Sequence, residues 1–185
     1  NGFYINHKVM DISDLDSILQ SSLTNKNIKV PEGHYMDENM KSTFVPNRNS
    51  IFSSIIFGYS ISVQKSLNKS VVFSLGVHAG DHLIYPDCRP EFYKHLIKSF
   101  KIGNWDTENI ELYLPYINSQ KSDIIKDGIN SCKILELDYN IIYKNTLTTY
   151  SPDSNGYSKG KTGSDIERIL AFKSLKIKDP GLYLK

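Results

Sequence analysis

The chain has 185 residues, with 22 Lys+Arg against 20 Asp+Glu and a formal net charge of +2; 39% of it is hydrophobic and 23% charged. This length supports one domain with a real core, and the balanced charge gives no electrostatic case for direct nucleic-acid binding. No apolar run is long enough to cross a bilayer, nothing at the start resembles a signal peptide, and two cysteines, Cys88 and Cys132, make no disulfide framework, so the expectation is a cytoplasmic chain with free thiols.

The chain opens on Asn1 rather than Met, almost directly in a patterned segment, and reads as the remainder of something longer. Phe3 to Ile12 predicts a short strand with Val9 and Ile12 inward, and Leu15, Ile18 and Leu19 predict a short helical stretch. Residues 24–40 are polar and irregular, the pattern of a functional or mobile loop. Ile51, Phe52, Ile55, Ile56, Tyr59 and Val63 then recur at helical spacing through Leu67, with Asn49 or Ser50 as the expected cap. The run from Ser70 to Leu75 has almost no polar alternation and reads as a buried parallel strand.

A second amphipathic helix follows on Phe92, Leu96, Ile97 and Phe100, ending near Gly103, and Ile110 to Leu114 is a further strand. Ser119 or Ser122 is the expected cap of a short helix over residues 123–127 that Gly128 ends. Residues 134–143 read as strand or buried coil, and 150–163 as a loop. Ser164 with Glu167 predicts a capping box opening a last helix, and Asp179-Pro180-Gly181 a turn. The order is that of an α/β unit with a parallel sheet flanked by helices, in a single domain over 1–185.

Chemistry concentrates in Gly76-Val77-His78-Ala79-Gly80-Asp81-His82-Leu83-Ile84-Tyr85-Pro86-Asp87-Cys88-Arg89-Pro90-Glu91-Phe92. Histidines, aspartates, a tyrosine, a cysteine and an arginine hang on the end of a strand, where α/β scaffolds place sites. Asp81 and Asp87 suit Mg2+ or a ring N–H, Arg89 suits bidentate clamping of a carboxylate or phosphate, and His78 and His82 suit proton transfer. Plainer readings stand beside these. Asp87 is also a natural cap for a helix starting near Pro90, and Cys88 is either a reactive thiol or a buried small residue. Tyr85 either stacks on a base or covers the strand end, Arg48 either meets ligand or bonds loop carbonyls, and Asn49 is either a ligand contact or a cap. His78, Asp81 and His82 are close enough in sequence for a transition metal, with no helix to fix their geometry.

Read with Val45-Pro46-Asn47-Arg48-Asn49, this loop resembles the signature of the 7-cyano-7-deazaguanine synthases, the queuosine-pathway members of the PP-loop ATPase group. Pro31-Glu32-Gly33-His34-Tyr35, Lys41-Ser42-Thr43, Lys121-Ser122-Asp123-Ile124, Glu167-Arg168, Ala171-Phe172 and Lys178-Asp179-Pro180 extend the likeness over nearly the whole chain. The resemblance implies an adenine nucleotide alpha-hydrolase-like, Rossmann-like fold, here N-terminally incomplete. It implies ATP and Mg2+ as cofactors and a small-molecule deazapurine as substrate, with no membrane and no direct nucleic acid. Asp81, Asp87, Arg89 and His78 are the implied catalytic residues; Arg48, Asn49, Gly76, Tyr85, Cys88 and Lys121 are the implied substrate or nucleotide contacts. A homodimer is implied, with Ile141, Ile142 and Tyr143 as candidate interface residues.

Two departures stand out. The family's Ser-Gly-Gly-x-Asp-Ser loop, which holds phosphates on backbone N–H groups, has no counterpart in these residues. A second chain supplying that loop, or a catalytically inactive binding protein, is therefore the alternative expectation. The family's four zinc cysteines correspond to Thr149, Lys159, Thr162 and Asp165, so zinc is not expected. A Lys159–Asp165 ion pair would offset little of that loss, since an exposed pair gives under ~1 kcal/mol and a structural zinc ~10 kcal/mol or more.

Overall fold

The computed structural model describes residues 5–34 and 38–184. Its regular elements are α1 (Arg48–Leu67), β1 (Val71–Ser74), α2 (Pro90–Ile102), β2 (Ile110–Tyr113), α3 (Lys121–Ile134), α4 (Tyr139–Lys144) and α5 (Gly163–Ser174), with short 3-10 turns between them. β1 and β2 pair in parallel, Val71 opposite Ile110 and Phe73 opposite Leu112, with α2 as the crossover. The expected α/β architecture, a parallel sheet flanked by helices, is present.

Side-chain alternation decides which way the sheet faces. Phe73 and Ile110 turn inward with Phe57 of α1, and Ile97 and Phe100 of α2 close over them. Phe57 meets Phe100 at 5.1 Å between ring centroids and Phe73 edge-on at 6.0 Å. Val72 on the other face is 59% exposed, so β1 is not the two-sided buried strand its composition suggested. A second cluster joins Met40, Tyr85 and Cys88 under the loop that leaves β1. A third joins Ile125 of α3 to Ala171 and Phe172 of α5.

Several expectations are corrected. Residues 5–12 form no strand, and Val9 is 84% exposed: an alternating pattern needs a neighbouring ladder before it becomes a strand. Phe3 and Tyr35 lie outside the described residues. The helix expected around Leu15 is a 3-10 turn over Ser13–Ser17. α1 is entered through Asn47 in the left-handed region, φ 61°, and the cap is neither Asn49 nor Ser50.

α3 begins two residues before the predicted start and runs through Gly128 to Ile134, with Gln120 and Asp123 forming its capping box. Gly128 ends nothing. The Tyr143 hydroxyl sits where its Cβ would be and donates to the Ile125 carbonyl at 3.2 Å, so glycine serves close packing inside the helix. Residues 139–144, expected as strand or coil, are α4, capped by Asp138 on the Asn140 N–H. Ile141 and Ile142 are exposed there, whereas Tyr143 turns inward edge-on to Phe172. The last capping box belongs to Thr162 and Asp165 rather than Ser164 and Glu167.

Candidate functional site

The loop leaving the C-terminal end of β1 is fixed by its own backbone. Ala79 N–H donates to the Ser119 carbonyl at 2.9 Å, which ties the loop to the segment entering α3. His78 is extended, and its Nδ1 accepts from Gly80 N–H at 3.1 Å, which leaves the ring proton on Nε2. Gly80 has no room for a side chain. A Cβ there would collide with Glu167 Oε1 and lie 2.9 Å from His78 Cε1.

That glycine admits a buried polar cluster. His78, 6% exposed, has Nε2 3.4 Å from Asp81 Oδ2 and Nδ1 3.8 Å from Glu167 Oε1. Lys121 Nζ, at the start of α3, is 2.5 Å from Glu167 Oε2 on α5. Burial pushes the Asp81 carboxyl up from its usual value and outweighs the opposing influence of the His78 ring, with Glu167 adding to the rise. The cluster opens into a cavity of about 370 Å3 lined by Gly76, His78, Asp81, Lys121, Tyr150 and Arg168 among others.

A second cavity of about 310 Å3 shares Gly76 and Asp81 with the first and adds Arg48, Asn49, Cys88 and Tyr93, with Phe52, Leu75 and Val77 as apolar walls. Asn49 organises this side. Its N–H donates to Asp87 Oδ2, and its Nδ2 donates to the Asp87 carbonyl and to Cys88 Sγ, each at 3.2 Å. Asp87 therefore places its carboxylate at the N-terminus of α1; the N-cap of α2 is Arg89, without a side-chain cap bond. Burial pushes the Cys88 thiol up to about 12, so at neutral pH it is a neutral thiol rather than a nucleophile.

The fold thus brings His78, Asp81, Gly76 and Lys121 to one cavity, and Arg48, Asn49 and Cys88 to its neighbour. Asp87 stands behind them. Arg89 lies apart, exposed, with Nε donating to the His82 carbonyl at 2.9 Å. Tyr85 is 2% exposed beneath the loop, its hydroxyl 2.6 Å from that of Thr43. Three residues of the candidate site were not singled out for it in the sequence: Glu167, Tyr150 and Arg168. Glu167 and Arg168, both inside α5, entered only through the likeness to the family's last helix, and Tyr150 had no signal of its own.

Among the described residues, His78, Asp81 and Glu167 are the group whose ligand atoms come within 4.8 Å of one another. Lys121 already neutralises Glu167 and Gly80 N–H occupies Nδ1. What remains, one carboxylate and an Nε2–H, does not suit a resident hard cation, which needs several oxygens.

The tail positions do not suit zinc either. Asp165, fully buried, accepts from the Ser158 hydroxyl at 2.7 Å, Thr162 N–H at 3.1 Å and the Thr162 hydroxyl at 2.6 Å. Ser164 Oγ donates to the Thr148 carbonyl at 2.7 Å, and Thr149 Oγ1 accepts from Ser151 N–H. Lys159 is exposed and forms no pair with Asp165, because the Asp165 oxygens face inward to these donors. Beside this network Arg168, 4% exposed, grips Asp179 bidentately at 2.8 and 2.9 Å and reaches the carbonyls of Tyr143 and Thr146.

A family model described as queuosine biosynthesis protein QueC matches residues 1–176. The chain belongs to the QueC family. It is 43% identical over 182 residues to the 7-cyano-7-deazaguanine synthase of Psychromonas ingrahamii, covering 97% of this chain and 74% of that one. Identity is 43% over 176 residues to the synthase of Pseudoalteromonas translucida, covering 94% and 72%. With 7-cyano-7-deazaguanine synthase 2 of Colwellia psychrerythraea it is 40% over 184 residues, covering 99% and 76%. The α/β unit described above is the Rossmann-like fold of the QueC family. Among the described residues no helix is long and apolar enough to cross a membrane.

Proposed function

We propose that this QueC-family chain acts on 7-carboxy-7-deazaguanine, converting it with ATP and ammonia to 7-cyano-7-deazaguanine. The acid takes AMP from one ATP and releases pyrophosphate; ammonia displaces the AMP and loses a proton, leaving the amide. A second ATP adenylates the amide oxygen, releasing pyrophosphate and one N–H proton; loss of AMP and the remaining N–H proton leaves the nitrile. Mg2+ entering with ATP would neutralise phosphate charge. The 185 residues contain no Ser-Gly-Gly-x-Asp-Ser run.

The observation that carries the reading is the buried cluster of His78, Asp81, Glu167 and Lys121 at the carboxyl end of β1, opening into a cavity. Carboxylates there accept the N1–H and amino protons of a guanine-like edge. The Nε2–H of His78 faces Asp81, and Lys121 pairs with Glu167 in a site largely withdrawn from water.

The test is incubation of the protein with the acid, MgATP and 15N-labelled ammonium, followed by mass spectrometry of the heterocycle. A nitrile heavier by one mass unit, formed with AMP and pyrophosphate, supports the reading. Binding of the acid without turnover would favour the partner-dependent alternative, and no binding would overturn both.

A further inference from the structure

The two cavities meet over a residue that leaves them open. Gly76 lines both, and a Cβ built on it would meet nothing within 4 Å. Its φ is not positive, so the backbone does not require glycine there. The space beside its Cα is therefore open where the two cavities share this residue.

The second lobe also holds polar groups that the protein leaves unanswered. Tyr93, 2% exposed, is one of the residues around it, and its buried hydroxyl has no hydrogen-bond partner. Buried orphans of this kind are uncommon in folded proteins and call for a water or a ligand. The Arg48 guanidinium makes no hydrogen bond or ion pair with any described residue; it lies over the Tyr85 ring at 5.9 Å. In the first lobe, by contrast, the lysine cation is already paired with Glu167. An anion therefore gains most from the second lobe. Arg89, the arginine expected to clamp a carboxylate, is turned outward to His82.

We infer that the two cavities form one two-lobed site, in which a flat heterocyclic acid lies across Gly76 with its carboxylate in the second lobe, held by Arg48 and the Tyr93 hydroxyl. The inference rests on the proposed substrate. The base edge then faces Asp81 and the first lobe, and Phe52, Leu75 and Val77 wall the acid end. A volume near 310 Å3 for the second lobe falls within the ordinary range for small-molecule sites.

The experiment is equilibrium dialysis of 7-carboxy-7-deazaguanine and of 7-deazaguanine, which lacks the carboxylate, against wild type, Arg48→Gln, Tyr93→Phe and Gly76→Val, with melting temperatures taken in parallel. Wild type should prefer the acid by about tenfold or more, the scale of one charge-assisted hydrogen-bonded contact. Arg48→Gln should bring the acid down to the level of 7-deazaguanine. Tyr93→Phe should weaken the acid several-fold while leaving melting unchanged or raised, because the lost hydroxyl is an orphan. Gly76→Val should abolish binding of both without loss of folding. An intact preference in Arg48→Gln, or wild-type binding by Gly76→Val, overturns the inference alone. A wild-type protein that binds neither heterocycle overturns the substrate reading and this inference with it.

Discussion

Replacing Asp165 by alanine isolates what the tail uses where its relatives' pattern carries thiolates. The carboxylate is fully buried and satisfies Ser158 Oγ, Thr162 N–H and Thr162 Oγ1. The Thr162 hydroxyl retains Ser164 Oγ at 3.1 Å, so two buried donors lose their acceptor. Each orphan costs about 1–3 kcal/mol, the Thr162 N–H being the one that the capping box satisfies. The expected destabilisation is therefore about 2–6 kcal/mol, a large part of the ~5–15 kcal/mol that holds a typical domain together. Asp165→Asn keeps one acceptor oxygen and should cost roughly half as much. Urea denaturation followed by far-UV circular dichroism measures both; Trp105, the single tryptophan and 88% exposed, would report poorly. A loss under about 1 kcal/mol for the alanine variant would refute the argument. So would wild-type stability that falls on adding a chelator, since the network would then not be what closes the tail.

Other consequences are as direct. Arg168→Ala leaves Asp179 buried without its cation and should cost about 3–5 kcal/mol in urea, whereas a loss below 1 would mean solvent replaces the clamp. Burial raises the Asp179 carboxyl, but the hydrogen bonds from Arg168, Tyr183 and Gly181 N–H outweigh it and hold it below its usual 3.8. Stability from this group is therefore present above pH about 4 and lost as pH falls through the lowered folded value, a loss that Arg168→Ala should remove from the acid limb of a stability-against-pH curve. Gly80→Ala drives a methyl group into Glu167 and His78, and should cost about 1–3 kcal/mol together with most nitrile formation; full activity would show that Glu167 need not sit where it does. Asp81 has a raised carboxyl, so its stability contribution favours low pH and becomes a penalty as pH rises through the folded value. Asp81→Asn should accordingly melt no lower than wild type at neutral pH while losing affinity for the heterocycle, and a lower melting point would contradict the burial argument.

The sequence disclosed most where one local pattern dominates. α2 announced itself through Phe92, Leu96, Ile97 and Phe100, and its end at Gly103 is where the structure puts it. Boundaries failed where a tertiary partner chose between local options. Asn47 rather than Asn49 enters α1 because Asp87, 38 residues beyond Asn49, takes the Asn49 N–H. Gly128 looked like a helix stop because the hydroxyl of Tyr143, on another helix, cannot be foreseen from local spacing. The central loop was legible as a candidate site through its polarity at a strand end, and His78 and Asp81 do line one cavity. Glu167 was not, since nothing in its neighbourhood distinguishes an inward carboxylate on α5 from a solvated one. Gly80, whose missing side chain admits it, is the residue that links the two segments.

The most direct test of the site is a crystal structure of the protein soaked with 7-carboxy-7-deazaguanine. Density for a flat bicycle lying over Gly76, with its amino edge at Asp81 and its carboxylate at Arg48, is the predicted result. Density confined to the groove between Ile12 and Ile51, or no density at a concentration where dialysis shows binding, would contradict the account.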